Sequence, residues 1–252
     1  MIQGLLTRPA TDDIIKAFIK SVGGTLHSDG PEFKSVDLDK PIACFGILRG
    51  TGELIRKCKT FYYFDHAYLY GNRHSPSKVT GERTYRLTKN HYHIQTIQDL
   101  TDEDKERIKK YKVELKPWKD DGDYILIIAP SNFQINYHNI GSWVDDTIKT
   151  LKQYTDRPIK VRDKKSSRPL KEEIQNAYAV VSHNSAVVVD AVLNGVPVFC
   201  DKMNMGVPIG LTDFSKIEQP IKPDRQKWID SLLANQFTMT EIKNGTAWRK
   251  VQ

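Results

Sequence analysis

The segment 178–198 limits the fold of this chain more than any other. An apolar run, Tyr178-Ala-Val-Val181, meets the polar break Ser182-His183-Asn184-Ser185. A second apolar run then reaches Asn194-Gly195, and Val196-Pro197-Val198 follows. The valines alone favour a strand throughout. Yet Asn184 or Ser185 can cap a helix, the span to Asn194 has helix length, Gly195 suits the position just past a helix, and Pro197 cannot extend one. The pattern therefore predicts strand, polar turn, helix, glycine, strand.

The same alternation extends on both sides. Apolar runs at 124–129, 158–162, 179–181 and 196–199 read as strands, and helical spacing appears at 143–154, 170–176 and 185–193, with 130–132 as a loop. Strands alternating with helices predict a parallel sheet with right-handed crossovers. The first half shows the same grammar less clearly. A helix is expected over 11–21, with Thr11 as cap and Gly23-Gly24 as its end, then a strand within 41–48, a helix over 52–58 and a strand over 60–64. Residues 65–90 read as a long loop with short strands, and 102–112 as an exposed helix whose charge order complements its dipole. Pro117-Trp118 and the polar stretch after it mark a boundary, and Trp228, Ile229, Leu232 and Leu233 are spaced as on a closing helix. The domains expected are 1–118, 119–222 and 223–252.

No run approaches the roughly 18 apolar residues of a membrane span, and residues 1–10 carry no secretory pattern, so a cytoplasmic protein without membrane contact is expected. Cys44, Cys58 and Cys200 are too few and too scattered for a disulfide framework. The net charge of +7 favours an anionic partner. Its densest part runs from Arg157 through Lys160, Arg162, Lys164, Lys165 and Arg168 to Lys171, which a solvated basic loop would also explain.

A polar turn at the carboxyl end of a parallel strand, opening onto a helix, presents free N–H groups and a partial positive charge. Ser182, His183, Asn184 and Ser185 are thus placed for an anion such as a diphosphate, unless they merely cap the helix. Asp37-Leu38-Asp39 and Asp121-Gly122-Asp123 match a metal-binding Asp-x-Asp, but both precede strands, the wrong end for a site in a parallel sheet. No metal is expected in the chemistry.

The sequence Ser182-His183-Asn184-Ser185, followed by Asp190-Ala191 and Gly195-Val-Pro-Val198, resembles the donor-binding motif of GT-B-fold glycosyltransferases. The chain is also similar in layout to small bacteriophage glycosyltransferases, including some that act on hydroxymethylated DNA bases. Those features are the Arg49-Gly50 loop, Asp65-His66-x-Tyr68, Asp156-Arg157-Pro158-Ile-x-Val-Arg162 and Asp224-Arg225-x-x-Trp228. The resemblance implies two Rossmann-like lobes with parallel sheets, a cleft between them and C-terminal closing helices. It also implies sugar transfer from a nucleotide-sugar such as a UDP-sugar, with no cofactor. The preferred acceptor is a 5-hydroxymethylated pyrimidine, such as hydroxymethylcytosine, in phage DNA. The alternatives are a polysaccharide or small-molecule acceptor, or a nucleotide- or nucleic-acid-binding module without catalysis.

On that reading the donor meets Ser182 to Ser185, Asp190, Arg162 and Lys164, with Arg49 and Gly50 letting the backbone approach. Asp65 or His66, after the first-lobe strand, takes the acceptor proton. Tyr68, Tyr70 and Arg73 contact the acceptor, the tyrosines holding a base that has left its stack.

Overall fold

The computed structural model describes residues 1–71 and 75–252. The chain divides into two units, the first made of 1–92, 100–111 and 232–252, the second of 93–99 and 112–231. The call on Arg73 lies outside the described residues.

In the first unit, β1 (Ile2–Leu5) leads into α1 (Pro9–Val22) and β2 (Gly24–His27), then β3 (Ile42–Phe45), α2 (Thr51–Lys57), β4 (Phe61–His66), β5 (Thr84–Lys89) and α3 (Asp102–Ile108). The sheet order is β10-β5-β4-β3-β1-β2, closed at one edge by β10 (Gln236–Thr238). β2, β1, β3 and β4 run parallel, whereas β5 pairs antiparallel with both β4 and β10. Helix α1 starts at Pro9 rather than near Thr11, because proline's fixed φ and missing N–H suit the first helical position. Thr11 instead sits inside the helix and is buried. Phe18 from α1 packs edge-on to Phe64 at 5.0 Å, and both are fully buried. The helices α9 (Met239–Lys243) and α10 (Thr246–Val251) add Ile242, Ala247 and Val251 to that core.

Three strands here were absent from the sequence reading. β1 is four residues with an internal glycine, β2 is a half-exposed edge, and β10 is three residues long, so none gives a long apolar run. The short strands expected within 65–90 take the form of β5 over 84–89, and one more correction follows: Asp65 and His66 are the last two residues of β4 rather than the start of that loop.

The second unit is a four-stranded, wholly parallel sheet of order β7-β6-β8-β9. Its elements are β6 (Tyr124–Ile128), α4 (Asn132–His138), α5 (Trp143–Leu151), β7 (Ile159–Arg162), α6 (Leu170–Gln175), β8 (Ala177–Ser182), α7 (Val187–Leu193) and β9 (Val198–Cys200). Every residue of β6, β8 and β9 is buried, as expected of strands covered on both faces. The boundary at 231/232 falls inside α8 (Gln226–Ala234). Among the described residues no helix is long and apolar enough to cross a membrane.

Gly195 follows α7 with φ of +75°, the left-handed conformation that ends a helix at little cost only for glycine. A Cβ there would lie 1.9 Å from the carbonyl oxygen of Pro117. Gly195→Ala is therefore expected to lose about 2–4 kcal/mol, combining a strained φ with a backbone clash. Urea denaturation followed by circular dichroism measures it, and a loss below the usual noise between surface variants would contradict the clash.

Candidate functional site

In the second unit the chain runs from β6 to β7 on one side and then to β8 on the other. The strand order thus reverses between β6 and β8, and loops leaving their carboxyl ends must part in opposite directions. Ligands of open parallel sheets bind in the crevice so formed. A cleft of about 420 Å³ lies there. Ile128, Ala129 and Pro130 at the end of β6 give it an apolar wall, and Ser182, His183, Asn184 and Ser185 at the end of β8 give it a polar one. Arg162 and Lys164 line it from the end of β7.

The sequence-predicted donor residues Arg162, Lys164 and Ser182 to Ser185 therefore share one cavity. Asp190 does not line it. That residue sits further along α7, where desolvation by neighbouring protein pushes its carboxyl above the usual carboxylate range although it reaches the surface. Helix α7 also starts two residues later than expected, at Val187, with Ala186 at its cap position. The serines still serve the turn: the Ser182 hydroxyl accepts from the Ser185 N–H at 3.0 Å and the Ser185 hydroxyl from the Val187 N–H at 3.2 Å. The capping alternative is thereby partly realised, by side chains that also face the cleft.

The two cations differ in what they already hold. The Arg162 guanidinium is ion-paired with Glu173 of α6 and donates to the Arg168 carbonyl at 2.8 Å. Lys164 is exposed and has no side-chain partner among the described residues. The lysine is thus uncommitted among the described residues, and the arginine is fixed by its own carboxylate.

His183 is 5% exposed, its ring set edge-on to Trp143 at 5.7 Å and tilted to His138 at 5.3 Å. Burial pushes its pKa below the usual imidazole value, and the Asp201 carboxylate opposes this. Burial is the larger effect, so the imidazole is biased toward its neutral form.

Helix α4 is the cleft-lining element absent from the sequence reading. Residues 130–132 were expected as loop, yet Ser131 caps a helix that brings Gln134 to the cleft. The signal was there: Ser131-x-x-Gln134 has the spacing of a capping box.

The remaining sequence-predicted residues belong to the first unit. Asp65 pairs with Arg86, its cross-strand neighbour on β5, at 2.9 Å and accepts from the Tyr63 hydroxyl at 3.0 Å. Its other oxygen accepts from the His66 N–H at 2.7 Å. The Arg86 guanidinium also lies over the Tyr68 ring, at 5.2 Å, so the buried Tyr68 is packed beneath a cation. Tyr70 is 40% exposed and stacks on Tyr111 at 5.7 Å. Arg49 and Gly50 both have positive φ, and a Cβ on Gly50 would lie 1.8 Å from the Pro31 carbonyl oxygen, so packing against Pro31 requires glycine there. Of the two Asp-x-Asp matches, Asp37 pairs with Lys40 and Asp39 with Lys59. Asp121 pairs with Lys119. Among the described residues no three His, Cys, Asp or Glu side chains gather as a metal cluster.

No protein-family model matches the chain, and no curated protein matches it. Solved structures do. The fold is that of the GT-B-like glycosyltransferases represented among them. The Thermosulfurimonas dismutans KpsC β-Kdo 2,7-transferase superposes with a TM-score of 0.53 at 15% identity, covering 99% of each chain. The β-Kdo 2,4-transferase of the same KpsC gives a TM-score of 0.49 at 10% identity, over 93% of this chain and 90% of the other. This chain is similar to them in fold.

The burial of His183 has a measurable consequence. A histidine whose folded pKa is depressed below its unfolded value, near 6.5, resists protonation in the native state. Stability is full above pH 6.5 and is lost as pH falls from there through the lower folded value. His183→Gln removes that proton linkage, so the wild-type melting temperature should fall more between pH 7 and 5.5 than the variant's. Parallel curves in thermal melts across that range would contradict a buried neutral imidazole.

Proposed function

We propose that this chain transfers a sugar from a nucleotide-sugar to a carbohydrate acceptor, and that the cleft outside β6 and β8 holds the nucleotide. The observation that carries the reading is the convergence, at the switch point of a wholly parallel sheet, of a serine-rich turn and an unpaired lysine. That combination suits a diphosphate, which only accepts hydrogen bonds and carries charge. The fold shared with the β-Kdo 2,7-transferase supports sugar transfer as the class of reaction. It supports a carbohydrate acceptor over hydroxymethylated DNA, for which no comparison speaks.

In the proposed reaction the bond between the sugar's anomeric carbon and the nucleotide phosphate breaks as the acceptor oxygen bonds to that carbon. The hydroxyl proton passes to a base, and the departing phosphate is stabilised by Lys164 and the turn's N–H groups. The proposed base is Asp65 or His66. Both oxygens of Asp65 already accept hydrogen bonds, from Tyr63, Arg86 and the following amide. His66 lies beside it on β4 with its ring against Phe45.

Incubation with a panel of nucleotide-sugars and either oligosaccharide or hydroxymethylated DNA, read by mass spectrometry, tests the reading. Transfer to the oligosaccharide, undiminished by a chelator, is expected; transfer only to DNA would reverse the acceptor assignment, and neither transfer nor donor hydrolysis would remove the enzymatic one. In the same assay, loss of the base lowers turnover about a hundredfold or more with donor affinity retained. Asp65→Asn and His66→Gln identify which residue it is, and full activity in both would place the acceptor site elsewhere.

The two cations separate binding from stability. Lys164→Ala is expected to weaken nucleotide affinity by about 1.5–3 kcal/mol with the melting temperature unchanged. Arg162→Ala leaves the largely buried Glu173 carboxylate without its partner, and is expected to lower stability by about 1–3 kcal/mol. Calorimetry and thermal melts distinguish them, and an exchange of the two patterns would make Arg162 the phosphate ligand.

A further inference from the structure

Six buried side-chain polar atoms among the described residues have no hydrogen-bond partner, and three of them belong to residues lining the cleft of the second unit. They are Oε1 of Gln134, Nδ1 of His183 and Oδ1 of Asn184. Buried polar atoms are almost always satisfied, and each one left bare costs stability. The three residues line one cavity, from α4 and from the turn after β8, and their bare atoms lie just behind its surface, out of reach of solvent.

The chemistry of these groups selects among parts of a nucleotide. A phosphate offers only acceptor oxygens, which suit Lys164 and the amides of the turn, and gives an amide oxygen nothing. A carboxamide carries one acceptor and one two-proton donor on the same group, and a neutral imidazole carries one of each on its ring. The edges of a nucleobase and the ribose hydroxyls present the same mixture. The terminal torsions of Gln134 and Asn184 are soft, so either amide can turn its oxygen toward an arriving donor. The apolar wall of Ile128, Ala129 and Pro130 offers a surface against which the flat face of a base can lie.

We propose that Gln134, His183 and Asn184 form the nucleoside-reading part of the cleft, setting which nucleotide is accepted, while Lys164 holds the phosphate. This rests on the reading of the cleft as a nucleotide site. His183 is the fixed member, held by Trp143 and His138, and the two amides adjust around it.

The test is isothermal titration of the full chain with UMP, CMP, GMP and AMP, and with inorganic pyrophosphate as a probe lacking any nucleoside. The wild type is expected to prefer one nucleotide over the others by about tenfold or more. Gln134→Ala and Asn184→Ala should each cut that preference at least about fivefold and leave pyrophosphate affinity within about twofold, with Gln134→Glu as a variant of matched size. Lys164→Ala should weaken all five ligands together. Equal affinity of the wild type for the four nucleotides would overturn the proposal. So would amide variants that weaken pyrophosphate and nucleotides alike, and in both cases the nucleotide site itself would stand. A wild type that binds pyrophosphate but no nucleotide would remove the underlying reading along with this one.

Discussion

In a parallel sheet all strands deliver their carboxyl ends to the same edge, so the place where successive crossovers diverge is left uncovered by the fold itself. In this chain that place is the seam between β6 and β8. The hydrogen-bonded register from Ile125 opposite Ala179 to Ile128 opposite Ser182 fixes the height at which both strands stop. Full burial of both strands makes the register hard to slip, since each position packs against a covering layer on one face or the other. Position of the polar turn, depth of the cleft and reach of Gln134 all follow from this seam.

The geometry also decides how charge is used. The basic stretch 157–171 is not a uniform patch. Arg157 pairs with Glu218 and lies over the Tyr178 ring at 3.7 Å, and Arg162 pairs with Glu173, so both arginines brace the sheet edge. Planar guanidinium groups suit such fixed, multiply bonded positions, whereas a lysine on a flexible stem keeps its charge available. The surplus positive charge that sequence alone assigns to a partner is thus partly structural.

Much of the second unit was legible because its strands are continuous apolar runs bounded by proline, glycine and polar breaks. Gly195 and Pro197 mark the end of α7 to within a residue, and the polar break at Ser182 to Ser185 marks the turn that lines the cleft. Less legible were elements whose stability comes from neighbours rather than from pattern. β1, with Gln3 and Gly4 in four residues, is held by parallel partners on both sides, and β10 exists because β5 pairs with it over three residues. Helix α4 was hidden by its composition, since Asn132, Phe133 and Asn136 are weak helix formers and only the Ser131 cap announces it. Pairing was invisible as well: nothing in Arg162 or Asp65 alone reveals that Glu173 and Arg86 are their partners, because those contacts join residues from different elements.

The Asp65–Arg86 pair shows how such a partner changes chemistry without changing the residue. The Arg86 side chain is 7% exposed and that of Asp65 27%, so the cation sits inside and the carboxylate at the rim. A buried guanidinium with no carboxylate is far costlier than a rim carboxylate with no cation, because its charge cannot return to water. The pair is therefore required by Arg86 before it is required by any reaction. Arg86 also binds the His66 carbonyl and lies over Tyr63 and Tyr68, tying β4, β5 and the following loop together around one charge. A carboxylate committed in this way holds its neighbours in place.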